Sequence, residues 1–265
     1  MFEIKNVCLI LQGYSFSKEQ LLKDIKKYYL EDNIKNIVIS SYSNLIDNEL
    51  HKYAKIINND QIGNIILKGN KDNINKTVVL KYSKEDYIKN LDIENFNIDN
   101  ARGTYLQYDK GLFRICLTTK RGINTAKQYF PNCTHYFILR ADMTINNLQY
   151  ILNKWKSIPR NINNDLFKEK IIFKSSDKHK QIYNICDYLS FGNKQDIENL
   201  YIIKEAFLPQ SFETGMFERG LFRSYIYSIN NKLSNEYIYN NFYYHENELN
   251  IDWYKYNKYG TWQDR

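Results

Sequence analysis

The chain has 265 residues, 43% of them apolar and 25% charged, and a formal net charge of +7. That length suffices for one large or two small domains with a sizeable core, and the balance is that of a soluble globular protein. The positive charge suits an anionic partner (nucleotide, nucleic acid or membrane surface) without choosing among them. Cys8, Cys116, Cys133 and Cys186 lie far apart with no CxxC pair, which speaks against a zinc or disulfide framework and for a reducing compartment.

The N-terminus reads MFEIKNVCLILQG, an apolar run too short to span a membrane and without a secretory cleavage pattern. A cytoplasmic protein is expected, with room for peripheral membrane contact through a basic, Tyr-rich surface. Val7 to Leu11 is continuously apolar and ends at Gln12-Gly13, as a buried parallel strand does. Ser17-Lys18-Glu19-Gln20 matches a capping box, and Leu21, Leu22, Ile25, Tyr28 and Tyr29 supply the apolar face of the helix behind it. Ile37 to Ser41 predicts a second strand, Asn44 to Ile57 a helix, and Asn64 to Leu67 and Val78 to Tyr82 two more strands. This alternation argues for an α/β layered fold with a mainly parallel sheet.

Residues 83–110 are polar and turn-rich and read as a long loop. From Gly111 to Phe130 the apolar residues keep helical spacing and lead into a strand at Tyr136 to Leu139. Asn146 is placed to cap a helix carrying Leu148, Ile151, Leu152 and Trp155. A strand at Ile171 to Phe173, helices around residues 215–230 and an aromatic-rich tail from Tyr237 to Trp262 complete the reading. With no repeat and no Gly/Ser/Pro linker, a single domain over 1–265 is the simpler reading.

The chain has eight arginines against twenty-nine lysines, and Arg102, Arg114, Arg121 and Arg140 fall within 39 residues. A guanidinium fork suits bidentate phosphate binding, although scattered surface charge is an even alternative for Arg102 and Arg121. In YFILRADMTI, Arg140 and Asp142 follow an apolar strand directly: either they form a surface ion pair, or they face a ligand at the strand's carboxyl end. Asp142 also suits a metal ligand or a turn cap. Glu213 and Glu218 stand at the start of a predicted helix, where a carboxylate can act as general base or simply complement the helix dipole. His245 is a candidate metal ligand or base against the reading of an exposed bystander. There is no GxGxxG, P-loop, HExxH or GxSxG, which removes several enzyme classes.

Taken together, these segments resemble the WavE lipopolysaccharide-synthesis family, read as glycosyltransferases of GT-A-like fold. LILQG matches its first strand, NIVISSY its second, and LFRICLTTKRGI its Asn-Arg-Gln-Ile-x-Ser-Thr-x-x-Gly-Leu helix through Arg114, Thr118, Thr119, Gly122 and Ile123. ILRAD stands for Lys-x-Arg-x-Asp, CDYLSFG for Ser-Asp-aromatic-x-x-Phe-Gly with Asp187, and FERGLFRSYI for the Glu-Gln-Tyr-Leu helix with Glu218. The matches are collinear over residues 7–226. Phe113, Ile115 and Phe217 depart from the pattern, and residues 227–265 match nothing in it.

The resemblance implies a cytoplasmic transferase, peripheral at most on the inner face of the membrane. It would move a sugar from a nucleotide-sugar donor to a surface polysaccharide, capsule or lipooligosaccharide acceptor, glycan or lipid-linked. Residues 1–145 would form the nucleotide-sugar-binding half and 146–265 the acceptor-side half. Gln12, Gly13 and Ser40 would line the nucleotide, and Arg114, near a helix start, would face phosphate. Thr118, Arg140 and Asp187 would complete the donor site. Asp142 would take the last place of an Asp-x-Asp and hold Mn or Mg, and Glu218 would be the base; His245 as a further metal ligand and Glu213 as the rival base are read from the residues alone. Two alternatives stand beside this one: a basic nucleic-acid-binding protein with tyrosine stacking platforms, and an inactive sugar-binding scaffold of the same fold. Arginines gathered at strand exits, and the lack of any RNP-like or OB-like pattern, favour no nucleic acid.

Overall fold

The computed structural model describes residues 2–13, 17–41, 48–58, 63–68, 77–82, 106–160, 167–174, 189–201, 241–246 and 251–253. Strand β1 (Val7–Gly13) is buried on both faces up to Gln12, as its continuous apolar run requires. It is followed by α1 (Lys18–Leu30) and β2 (Asn36–Ser41). Ser17 caps α1, its hydroxyl accepting from the Gln20 backbone N–H at 3.2 Å. The Gln20 side-chain amide donates to Asp24 at 3.1 Å. Leu21, Ile25 and Tyr28 are buried, and Leu22 and Tyr29 partly so, the face that periodicity predicts.

The expected helix over 44–57 is corrected. A short 3-10 turn at Leu50–Lys52 leads into β3 (Lys55–Asn58), which pairs with β2; residues 42–47 lie outside the described residues. The β-branched pair Ile56-Ile57 favours an extended edge strand over a helix end. Strands β4 (Gly63–Lys68) and β5 (Thr77–Tyr82) exist as expected, but they pair antiparallel with each other outside the main sheet.

Helix α2 (Leu106–Tyr129) begins earlier than the loop reading of 83–110 allowed. Leu, Gln and Lys at 106–110 are good helix formers, and the two internal glycines, Gly111 and Gly122, are tolerated. Then come β6 (His135–Arg140), β7 (Met143–Ile145), α3 (Leu148–Ser157), β8 (Ile171–Lys174), β9 (Leu189–Asn193), α4 (Lys194–Leu200), β10 (Tyr243–Glu246) and β11 (Ile251–Trp253). Asn147, at φ 57°, is the residue before α3, and its side chain makes no capping bond. The expected cap, Asn146, accepts from Lys27 Nζ at 3.3 Å instead.

Among the described residues the main sheet has seven strands in the order β10-β8-β9-β6-β1-β2-β3. All run parallel except β9, which is antiparallel to both neighbours. The α/β expectation, a mainly parallel sheet flanked by helices, is met. Strands β8, β9 and β10 come from the second half of the chain, and β11 pairs with β7. No helix among the described residues is long and apolar enough to cross a membrane.

One face of the sheet carries Leu9, Leu11, Phe137, Leu139 and Phe191 against α1 and α3. Trp155 is fully buried there, its ring centroid 5.6 Å from Phe137 and 5.1 Å from Phe191. Its indole N–H donates to Glu246 at 2.8 Å, tying α3 to the edge strand β10. The opposite face carries Cys8, Ile10 and Val38 beneath α2 and depends on close approach, for a Cβ at Gly122 would lie 2.4 Å from Ile10 Cγ2.

At the amino end of β6, Asp196 in the first turn of α4 accepts from the backbone N–H groups of Lys168 and Glu169, all at 3.1 Å. Burial raises its carboxyl to about 6 despite those bonds. Below pH 3.8 the group is protonated folded and unfolded alike. Between there and about 6 the folded state holds the extra proton, so stability must fall as pH rises through that window. Relative to Asp196→Asn, the wild type should therefore lose on the order of 2 kcal/mol between pH 4 and 7. Urea melts of both proteins across this range check it; a constant difference would contradict the linkage.

Candidate functional site

The chain leaves β1 toward β2 and β3 on one side, and later places β6 on the other side of β1. Neighbouring parallel strands whose connections diverge leave a crevice at their carboxyl ends, the usual ligand position in such sheets. Gln12 pairs in register with Ser40 of β2 and with Arg140 of β6. The three therefore form one lateral row on one face, about 10 Å from end to end. A backbone bond from Ala141 N to Gln12 O, 2.8 Å, carries the β1–β6 pairing past the strand end. Gly13 closes β1 at φ +92° with open space where a Cβ would stand, so its backbone angle, not crowding, calls for glycine.

Helix α2 roofs the Gln12 and Ser40 part of the row. Gly122 lies over Ile10 and Ser40, and one turn earlier the Thr118 hydroxyl donates to Gln12 Oε1 at 3.3 Å. Gln12, Ser40, Ser41, Thr118 and Thr119 are all buried. Two polar atoms there, Gln12 Nε2 and Thr119 Oγ1, have no hydrogen-bond partner among the described residues. A buried donor left unpaired costs about 1–3 kcal/mol, so such an atom marks where a ligand or water would bind. Ser41 and Thr119 are additions to the expected set. The signal for both was a small polar residue adjoining a named one.

Arg140 and Asp142 meet as a side-on fork, Nε to Oδ1 at 3.1 Å and Nη2 to Oδ2 at 2.7 Å. The side chains are unequally covered, 18% exposed for Arg140 and 3% for Asp142, so the guanidinium is the outer member. The two residues form an ion pair at the carboxyl end of β6, though not the surface pair of one reading, because Asp142 is buried.

Arg114 shares a stripe of α2 with Thr118 and Gly122 at spacings of four, which sets its backbone one turn, about 6 Å, beyond Thr118. It is not near the helix start as expected, because α2 opens at Leu106; no helix-end dipole acts there. His245 is on β10, separated from β6 by β8 and β9. Those strand axes are about 14 Å apart, so the fold does not bring His245 to Asp142. Asp187, Glu213 and Glu218 lie outside the described residues. No group of three or more His, Cys, Asp or Glu side chains gathers as a metal site among the described residues.

A hollow of about 620 Å³ lies between α1 and β7, walled in part by Lys23, Lys26, Lys27, Thr144 and Asn146. It is on the α1 side of the sheet, away from the face that holds Gln12, Ser40 and α2. Size alone does not make it the site, since the strand-exit polar groups converge elsewhere.

No family model and no curated protein matches the chain. Among solved structures it is similar to a glycosyltransferase involved in the glycosylation of the major capsid of PBCV-1. That likeness has 12% identity and a TM-score of 0.37, covering 91% of this chain and 82% of the other. It is also similar to mouse xyloside xylosyltransferase 1 in its apo form, at 7% identity and a TM-score of 0.37, covering 92% and 96% of the two chains. At that level of likeness the weight rests on the strand order and the residues at its switch point.

Proposed function

We propose that this chain is a glycosyltransferase of GT-A-like fold. It would move a sugar from a nucleotide-sugar donor to a glycan or lipid-linked saccharide as a surface polysaccharide, capsule or lipooligosaccharide is built. What supports the reading is the polar row Gln12, Ser40 and Arg140 at the switch point of a mainly parallel sheet. An amide nitrogen left unpaired and buried hydroxyls suit the base and ribose of a nucleotide, and a guanidinium suits its diphosphate. Gly13, Thr118 and Asp187 join the donor site in this reading, and Arg114 reaches phosphate from α2. The acceptor hydroxyl attacks the anomeric carbon, the anomeric carbon–oxygen bond to the diphosphate breaks, and the hydroxyl proton passes to Glu218, with Glu213 its rival. A lipid-linked acceptor would bring the basic surface to the inner face of the membrane.

A thermal-shift screen of nucleoside diphosphates tests this, because a ligand that binds the folded state raises its melting temperature by mass action. One nucleoside diphosphate should protect, and the matching nucleotide sugars should be slowly hydrolysed or transferred. Arg114→Ala should weaken protection roughly tenfold or more, as a charge-assisted phosphate bond implies, and Lys110→Ala much less. No protection and no donor turnover, with binding to single-stranded nucleic acid that falls steeply with salt, would replace the reading by nucleic-acid binding.

A further inference from the structure

A divalent cation is the partner that the resemblance assigns to Asp142, and the residues present do not fit it. Both Asp142 oxygens are taken by the Arg140 fork, at 3.1 and 2.7 Å, and the carboxylate lies beneath the guanidinium. A cation arriving from the crevice would meet a fixed positive charge first, and would have to displace it before touching an oxygen. It would then sit within a few ångströms of the displaced guanidinium. The position two residues before Asp142, where an Asp-x-Asp pair has its other acid, is Arg140 itself. His245 cannot complete the set from β10, and no other acid or histidine cluster stands among the described residues.

We propose that Arg140 takes the cation's place: the donor diphosphate is bound without metal, by a guanidinium that Asp142 holds at the carboxyl end of β6. The inference rests on the nucleotide-sugar reading above and says how that site neutralises its ligand. A guanidinium is charged at any working pH and presents planar paired donors, so it can face a diphosphate as a metal does. Its weakness is the freedom of a long side chain, which costs ordering on binding. Asp142 removes that freedom beforehand, because the fork fixes the plane of the group. Asp142 is thus a positioning residue that acts through Arg140 and not a ligand of its own.

Titration calorimetry of the full chain with the protecting nucleoside diphosphate, once in EDTA and once in millimolar manganese, decides the matter. The expected result is the same affinity within about threefold in both buffers. Binding seen only with manganese overturns the inference while the transferase reading stands; no binding in either buffer overturns both. Arg140→Gln should lose at least tenfold in EDTA, and Arg140→Lys should keep part of that affinity while reporting, by an unchanged circular dichroism spectrum, that the strand exit still folds. Affinity in Arg140→Gln equal to wild type overturns the assignment. Asp142→Asn should weaken binding in the wild-type background and cost nothing further in Arg140→Gln. An equal further loss in that background would give Asp142 a role independent of Arg140 and overturn its part in the proposal.

Discussion

Replacing Gly122 by valine should lower the melting temperature by about 6–12 °C, the equivalent of roughly 3 kcal/mol in a chain of this size. The cause is local. A Cβ at this position would stand 2.4 Å from Ile10 Cγ2 and 3.5 Å from Ser40 Cβ, whereas carbon atoms in good contact keep about 3.5–4.0 Å. Ile10 is fully buried at the centre of β1 and stiff at χ1, so it cannot swing away as an exposed side chain would. The helix has to lift instead, and Thr118, one turn along, is drawn off Gln12. Alanine should cost less, about 1–2 kcal/mol, because its better helix propensity returns part of the loss. Ile10→Ala in the alanine background removes the clashing methyl and should recover stability relative to the sum of the single changes. A Gly122→Val protein that melts with the wild type would mean that α2 does not lie on β1 as described.

Much of this architecture was legible because central parallel strands, buried on both faces, read as unbroken apolar runs. VCLIL and YFIL could hardly be anything else, and their polar exits drew attention to Gln12, Arg140 and Asp142. The edge was not legible. Strand β3 is four residues long with one apolar pair, and its Lys55 and Asn58 ends look no different from a helix surface. For β4 and β5 the strands themselves could be read, but their departure from the main sheet could not, since alternation says that a segment is extended and not what it pairs with. The Arg140–Asp142 spacing allowed a surface ion pair or a ligand-facing exit, and only the fold shows that the pair forms with Asp142 buried beneath the guanidinium. The unpaired Gln12 Nε2 was beyond reach of the sequence, because it depends on how closely a helix 106 positions away settles over β1.

Glu218→Gln should leave nucleoside diphosphate binding intact and cut turnover by roughly 10²–10⁴, the usual worth of acid–base assistance. The substitution keeps size and hydrogen-bonding reach and removes only the ability to take a proton. The order of the chain favours this residue: on the resemblance, the base of an inverting transferase follows the strand that carries the metal site in such enzymes and opens a helix beneath the acceptor, and FETGMFERGLF predicts a helix start near Gly215. Against it stands the helix dipole, which lowers a carboxylate near a helix N-terminus and so weakens it as a base. Partial burial would work the other way. The pH dependence of turnover separates these influences, because a deprotonated base makes the rate rise with pH through its own titration. That rising limb should be present in the wild type and absent from the Gln variant. Glu213, five residues earlier, is the rival, and Glu213→Gln should then leave both the limb and the rate nearly unchanged. If instead Glu213→Gln loses turnover and Glu218→Gln keeps it, the role moves to Glu213. Full activity in both variants would mean that neither carboxylate receives the proton.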